Sequence, residues 1–191
     1  MRIAVLTVSD AGVRGERGDT SGDAIAAWAA ARGDTVAARA IVGDETAAVA
    51  AQLVAWCDGD VADLLLTTGG TGLAPRDITP EATRAILDRE APGIAERIRA
   101  LCLTSFPRAA LARGIAGVRR CTLVVNLPGS TSGVRDALAA LDPIIAHGVD
   151  ILRGLPTEHS GGQGPATVRA SSEATGKRPA GAPAPVAEGG P

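Results

Sequence analysis

Tyrosine is absent from the chain, and aromatic residues make up only 2% of it. A surface for single-stranded nucleic acid stacks bases on aromatic side chains among basic ones, and that surface cannot be built here. With a formal net charge of -2 there is no global pull on polyanions either, so any phosphate binding has to come from local geometry. Nucleic acid is not an expected partner. Cysteine is also scarce: Cys57, Cys102 and Cys121 lie far apart without a CxxC pair, which excludes a disulfide framework and a zinc knuckle. Each reads as a small buried apolar side chain. Long hydrophobic runs are missing as well. The opening MRIAVLTVSD holds one basic residue and an apolar stretch that stops at Asp10, too short for a signal peptide or a membrane span. A cytoplasmic location without a membrane partner is expected.

What is present is aliphatic. A hydrophobic share of 46% beside 21% charged residues is ordinary for a globular domain, and its core must be packed from Ala, Val, Ile and Leu. The composition changes at about Thr157. From there the chain is dominated by Gly, Pro, Ala and Ser, with Val168 and Val186 as its only large apolar residues. That stretch offers too little apolar area to order itself, so a domain over residues 1–156 and a disordered tail over 157–191 are expected.

Four segments read as strands: Ile3 to Ser9, Thr35 to Val42, Leu64 to Thr68 and Thr122 to Asn126. Three are apolar on successive residues, as strands buried on both faces of a parallel sheet must be. The second is Ala-rich and carries Arg39, which suggests an outer position. The VRR before Cys121 suggests a short antiparallel strand. Between strands, Val49, Leu53 and Trp56, then Ile94, Ile98 and Leu101, then Val134, Leu138 and Leu141 recur at helical spacing. Thr79-Pro80-Glu81 reads as a helix start, with Thr79 as cap and Pro80 in the first turn. The alternation predicts an α/β three-layer sandwich with a mostly parallel sheet.

In such sheets ligands bind beyond the carboxyl ends of the strands. Those ends are Ser9-Asp10, Gly43-Asp44-Glu45, the run Thr67 to Gly72, and Asn126 to Ser130, all polar or glycine-rich, and they are expected to converge on one site. TTGGTG is neither a dinucleotide fingerprint nor a Walker A loop. Its glycines let the backbone approach a ligand closely, and its amides and hydroxyls can meet phosphate oxygens or a polar heterocycle.

The longer run TTGGTGLAPRDITPEAT (Thr67 to Thr83), with REAPG (Arg89 to Gly93) and NLPGS (Asn126 to Ser130), closely resembles the molybdopterin adenylyltransferases and the related G domains of plant and animal cofactor-synthesis proteins. TVSD (Thr7 to Asp10) and DTSG (Asp19 to Gly22) look like two further segments of that family. Competence-damage-type proteins and molybdotransferases share a similar domain, but their loops resemble TTGGLGPT or SGGVSVG. The resemblance implies a molybdopterin-binding-like fold and transfer of AMP from ATP to the terminal phosphate of molybdopterin. A noncatalytic pterin-binding or scaffold paralogue of the same fold is the alternative. It also implies a homo-oligomer, with a trimer favoured, and a molybdotransferase as a further partner.

By the same resemblance Asp44 and Asp77 are the catalytic acids. The chemistry agrees, because two crowded phosphates need a cation such as Mg²⁺, which takes carboxylate oxygens together with phosphates and water. Asp44 and Asp77 are thus also the expected metal ligands, although each has a plainer reading as a helix cap. Ser9, Asp10, Thr68, Gly69, Gly70, Thr71, Gly72, Asn126, Pro128, Gly129 and Ser130 are the expected substrate- and nucleotide-binding residues. Arg76 reads as an anion contact or a surface salt bridge, His147 as a packed or exposed residue, and Trp28 and Trp56 as core or interface anchors.

Overall fold

A computed structural model of the protein describes residues 1–156. The expected tail, 157–191, lies outside the described residues. The elements in chain order are β1 (Arg2–Val8), α1 (Asp10–Val13), α2 (Thr20–Ala31), β2 (Thr35–Val42), α3 (Thr46–Asp58), β3 (Leu64–Thr68), α4 (Thr79–Arg84), β4 (Arg89–Glu90), α5 (Pro92–Leu103), a 3₁₀ turn (Pro107–Leu111), β5 (Ala116–Arg119), β6 (Thr122–Leu127) and α6 (Thr131–Leu152).

The sheet runs β2-β1-β3-β6-β5-β4. The first four strands are parallel, whereas β5 and β4 add antiparallel at the far edge. The Ala-rich β2 lies at the opposite edge, where its side chains alternate between half-buried and exposed. The VRR segment does contribute an antiparallel strand, β5, and a two-residue turn at Arg120-Cys121 then leads into β6.

Alternation along the strands divides the core into two layers. Ile3, Val5, Leu64, Leu66, Leu123 and Val125 pack under α2, α5 and α6, while Ala4, Leu6, Leu65 and Val124 pack under α3 and α4. A period of two feeding both faces is what makes the strand sequences continuously apolar. Among the described residues, no helix is long and apolar enough to cross a membrane.

Several expectations need correction. Trp56 is only half-buried and Leu101 is 45% exposed, because the inward stripes run through Val49, Leu53 and Cys57 in α3 and through Ala95, Ile98 and Cys102 in α5. Thr79 does not cap α4. Ile78 occupies that position, and the Thr79 hydroxyl reaches back to the glycine loop instead. Cys121 is exposed, since it lies in the β5-β6 turn, where Arg120 adopts φ 52°. Trp28 packs against the core and donates from Nε1 to Asp142, with the Arg32 guanidinium 4.8 Å above its ring.

Candidate functional site

The carboxyl ends of the four parallel strands share one rim, with Val8 opposite Val42, Thr7 opposite Thr68 and Thr68 opposite Leu127. At the centre β3 runs into Gly69 and Gly70, which turn at φ 96° and φ 62°. A side chain on Gly69 would place its Cβ 2.3 Å from the Val8 carbonyl oxygen, so only glycine fits this backbone. Thr79 then fastens the loop, its hydroxyl donating to the Gly69 carbonyl at 2.9 Å and its amide to the Gly70 carbonyl at 3.0 Å. The amides of Thr71 and Gly72 donate to no backbone carbonyl among the described residues.

APRD is a tight turn. The Asp77 amide donates to the Ala74 carbonyl at 2.9 Å, and Pro75 stands where its fixed φ suits such a turn. The Asp77 carboxylate folds back to accept from the Ala74 amide at 2.7 Å, and so is not the cap of α4. Its Oδ2 lies 2.8 Å from where a Cβ on Gly72 would stand. Arg113, just before β5, braces the turn from behind: Nε donates to the Gly72 carbonyl at 2.6 Å, Nη2 to the Asp77 carbonyl, and Nη1 pairs with Glu81.

On the other side of the loop, Asp44 and Asp10 exchange bonds, each amide donating to the other's carboxylate at 2.9 Å. Asp44 does not cap α3 either, since Glu45 takes that place. Asp44 Oδ1 stands 3.5 Å from where a Cβ on Gly70 would lie. Arg76 crosses over from the APRD turn to pair with Asp10 at 2.5 Å and to reach the Asp44 carbonyl at 3.3 Å. The Asp44 amide, aided by the Arg76 guanidinium, holds the Asp10 carboxyl below the usual carboxylate range. Of the two readings of Arg76, the structure shows the surface salt bridge.

Two clefts flank the loop rather than one. A polar cleft of about 400 Å³ takes in Ser9, Thr20, Ser21, Asp44, Thr68 and Gly69. The first turns of α2 and α6 come together beside it, with Thr20 and Thr131 hydroxyls 2.9 Å apart, so the positive ends of two helix dipoles lie near this cleft. The second cleft, about 310 Å³, is more apolar, with Ile98, Cys102, Phe106 and Leu111 opposite Thr71, Gly72, Asp77 and Pro128. Gly70, Gly129 and Ser130 border both clefts. This shared lip is tight: the Thr68 hydroxyl donates to the Pro128 carbonyl at 2.7 Å, and a Cβ on Gly129 would be 3.1 Å from Gly69 Cα. Ser130 Oγ also caps α6 by accepting from the Gly133 amide.

Asn126 borders neither large cleft. Its buried amide donates to Thr67 and Thr83 at 2.9 Å each, and its Oδ1 accepts from the Ile115 amide, so it ties β3, α4 and β5 together beneath the rim. Asp10 borders neither cleft and instead donates its amide to the Asp44 carboxylate. Three residues outside the expected set belong to the arrangement. Arg17 lines the polar cleft, Asp19 caps α2 while accepting from Thr7 and Arg39, and Arg113 braces the loop. The DTSG segment pointed toward Asp19; nothing local marked Arg17 or Arg113.

A family model described as a probable molybdopterin binding domain matches residues 4–147. The chain belongs to this family. Its match takes in every strand end of the rim, the glycine loop and the lip. Molybdopterin-binding-domain proteins of solved structure include the molybdopterin biosynthesis enzyme MoaB of Thermus thermophilus, 51% identical with a TM-score of 0.77, covering 81% of this chain and 98% of that one. The molybdopterin adenylyltransferase of Helicobacter pylori strain J99 is 43% identical over 114 residues, 60% of this chain and 65% of that protein. Molybdenum cofactor biosynthesis protein B of Escherichia coli K12 is 42% identical over 137 residues, 71% of this chain and 79% of that protein. The chain thus spans somewhat less than two thirds of the Helicobacter protein, and a quarter of the Drosophila melanogaster cofactor-synthesis protein cinnamon that it also matches.

Proposed function

We propose that the protein is a molybdopterin adenylyltransferase, moving AMP from ATP to the terminal phosphate of molybdopterin with release of pyrophosphate. The observation that carries this reading is the pair of clefts joined at Gly70, Gly129 and Ser130. A transferase must seat two substrates with their reacting phosphates in contact, and adjoining pockets with a shared glycine lip let both backbones and phosphates come close. The relatives named for this activity support the same conclusion.

Among the described residues there is no group of three or more His, Cys, Asp or Glu side chains able to hold a metal ion. One or two carboxylates would suffice for Mg²⁺, which keeps several waters and binds beside substrate phosphates rather than in a full protein cage. Asp44 and Asp77, on opposite flanks of the glycine loop, would hold it, and the ion would neutralise charge between the reacting phosphates. The protein's own part is alignment: loop amides and helix ends fix the phosphates, while the lip keeps nucleophile and α-phosphate in line. No general base is required, because the attacking phosphate is already ionised at neutral pH.

The proposal extends to a cytoplasmic homotrimer that hands its product to a molybdotransferase. A pterin-binding paralogue without turnover is the second reading, since the chain is as similar to protein B, whose name states no activity, as to the adenylyltransferase, 42% against 43%. Labelled ATP separates them. Label from the α-phosphate should appear on the pterin and label from the γ-phosphate in pyrophosphate; a protein that binds pterin and moves neither label is the paralogue.

A further inference from the structure

We propose that Arg113 is a positioning residue, setting the direction of the Asp77 turn and of the Gly72 amide; this rests on the adenylyltransferase reading of that loop. Four contacts carry it. The Arg113 amide donates to the Thr71 carbonyl at 2.9 Å, Nε to the Gly72 carbonyl at 2.6 Å, Nη2 to the Asp77 carbonyl, and Nη1 to the Glu81 carboxylate. One residue therefore grips both ends of the six-residue turn from Gly72 to Asp77 and the first turn of α4.

The consequence follows from peptide geometry. In a trans peptide the carbonyl and the N–H of one unit point in opposite directions. Holding the Thr71 carbonyl toward Arg113 aims the Gly72 N–H away from it, and Gly72 is part of the wall of the second cleft. Holding the Asp77 carbonyl fixes the backbone from which its carboxylate reaches Ala74 and the Gly72 side of the loop. Only a planar guanidinium with donors in a rigid fork can serve three acceptors set in this way; an ammonium on a flexible stem cannot. Glu81 secures the fork from outside. Partial burial opposes its ionisation, but the Arg113 contact, the Glu81 amide and the charge of Arg84 together outweigh that and keep the carboxyl below its ordinary range.

The turn is otherwise lightly held. Leu73 is 65% exposed, and residues 74–76 are exposed as well. Without Arg113, what remains is the Ala74-Asp77 pair and the contacts of Arg76 with the Asp10 carboxylate and the Asp44 carbonyl.

The test uses the full chain as wild type, Arg113→Ala, Arg113→Lys and, as control, Arg84→Ala, which removes an exposed ion pair to Glu90 elsewhere on α4. Turnover with molybdopterin, ATP and Mg²⁺ is read beside amide hydrogen exchange of peptides spanning 71–78. In Arg113→Ala, exchange there should quicken at least about tenfold while β1, β3 and β6 are unchanged, and kcat should fall about ten- to a hundredfold with KM for ATP little altered. Arg113→Lys should fail to restore either, and Arg84→Ala should match wild type. In an Asp77→Asn background, removal of Arg113 should cost little more, since it acts through that turn. Unchanged exchange in Arg113→Ala overturns the proposal, whether or not kcat falls, as does full rescue by lysine. If the alanine variant does not fold, the lysine variant decides by the same two readouts. If wild type itself makes no adenylylated pterin, the activity reading fails, and the exchange comparison still judges the role of Arg113.

Discussion

Asp10 and Asp44 hold each other by reciprocal bonds of 2.9 Å, each backbone amide donating to the other's carboxylate across the ends of β1 and β2. The pair locks two strand ends at the rim and fixes the direction of the Asp44 side chain. Asp44→Asn keeps an acceptor for the Asp10 amide but loses the charge. It should fold normally, lose at least about tenfold in kcat, and need more Mg²⁺ for half-maximal rate. Asp10→Ala should lose activity by a different route, through a misplaced Asp44. Magnesium titrations of turnover check this; identical Mg²⁺ dependence in Asp44→Asn and wild type would remove Asp44 from the metal site.

At the opposite end of the sheet Asp63 accepts from the Arg2 amide at 2.6 Å and pairs with the Arg2 and Arg153 guanidinium groups at 2.8 and 2.6 Å. Burial would raise its carboxyl pKa, but these contacts together hold it below the ordinary value. A depressed folded-state pKa means stability that is present above the unfolded pKa and lost as pH falls through the folded one. Asp63→Asn should therefore cost about 1–3 kcal/mol at neutral pH. The gap to wild type should shrink below about pH 4. Denaturant melts at pH 7 and pH 3 measure it, and a gap that widens in acid would contradict the assignment.

The three thiols should separate by exposure. Cys57 is buried, which pushes its thiol up to about 11, and burial also raises Cys102, whereas Cys121 sits exposed in the β5-β6 turn. Thiolate is the reactive form, so alkylation of native protein at pH 8 should label Cys121 first and the others only on unfolding. Peptide mapping of the alkylated protein reads the order. Rapid labelling of Cys57 would show the α3 layer opening far more readily than its packing implies.

Much of the fold was legible because it is written in local periods. β1, β2, β3 and β6 were visible as aliphatic runs, and the edge place of β2 as an Ala-rich, charged one. The stripe Val134, Leu138 and Leu141 lies buried on α6 as its spacing required. What stayed hidden depends on distant partners. β4 is two residues, Arg89–Glu90, with no apolar pattern, and exists through its register with β5. Asn126 is polar at a strand end, and only the positions of Thr67, Thr83 and Ile115 turn it inward. Arg113 lies in an irregular segment 41 residues from the carbonyl it holds. The lip shared by the two clefts brings Gly70 beside Gly129 and Ser130, a juxtaposition that no stretch of sequence contains.

The boundary at residue 156 remains a proposal with its own test. Among the described residues the core layers run as far as Val149 and the adjoining Leu152. Ending the chain after Pro156 should leave the melting temperature within about 2 °C, since Val168 and Val186 are the only large apolar residues in the stretch removed. A drop of several degrees would mean that 157–191 contributes to the fold.

The central claim is adenylyl transfer across the lip between the two clefts, with Asp77 at its edge. Asp77→Asn keeps an oxygen for the Ala74 amide and removes only the charge, so the fold should stand while kcat falls at least about a hundredfold, or roughly 2.7 kcal/mol of barrier. The deciding measurement is mass spectrometry of molybdopterin after incubation with purified full-length protein, ATP and Mg²⁺, run in parallel for wild type and Asp77→Asn. The pterin should gain one AMP unit with wild type, with pyrophosphate in equal amount, and almost none with the variant. Pterin recovered unchanged from active-site-saturating wild type, with ATP intact, would contradict it.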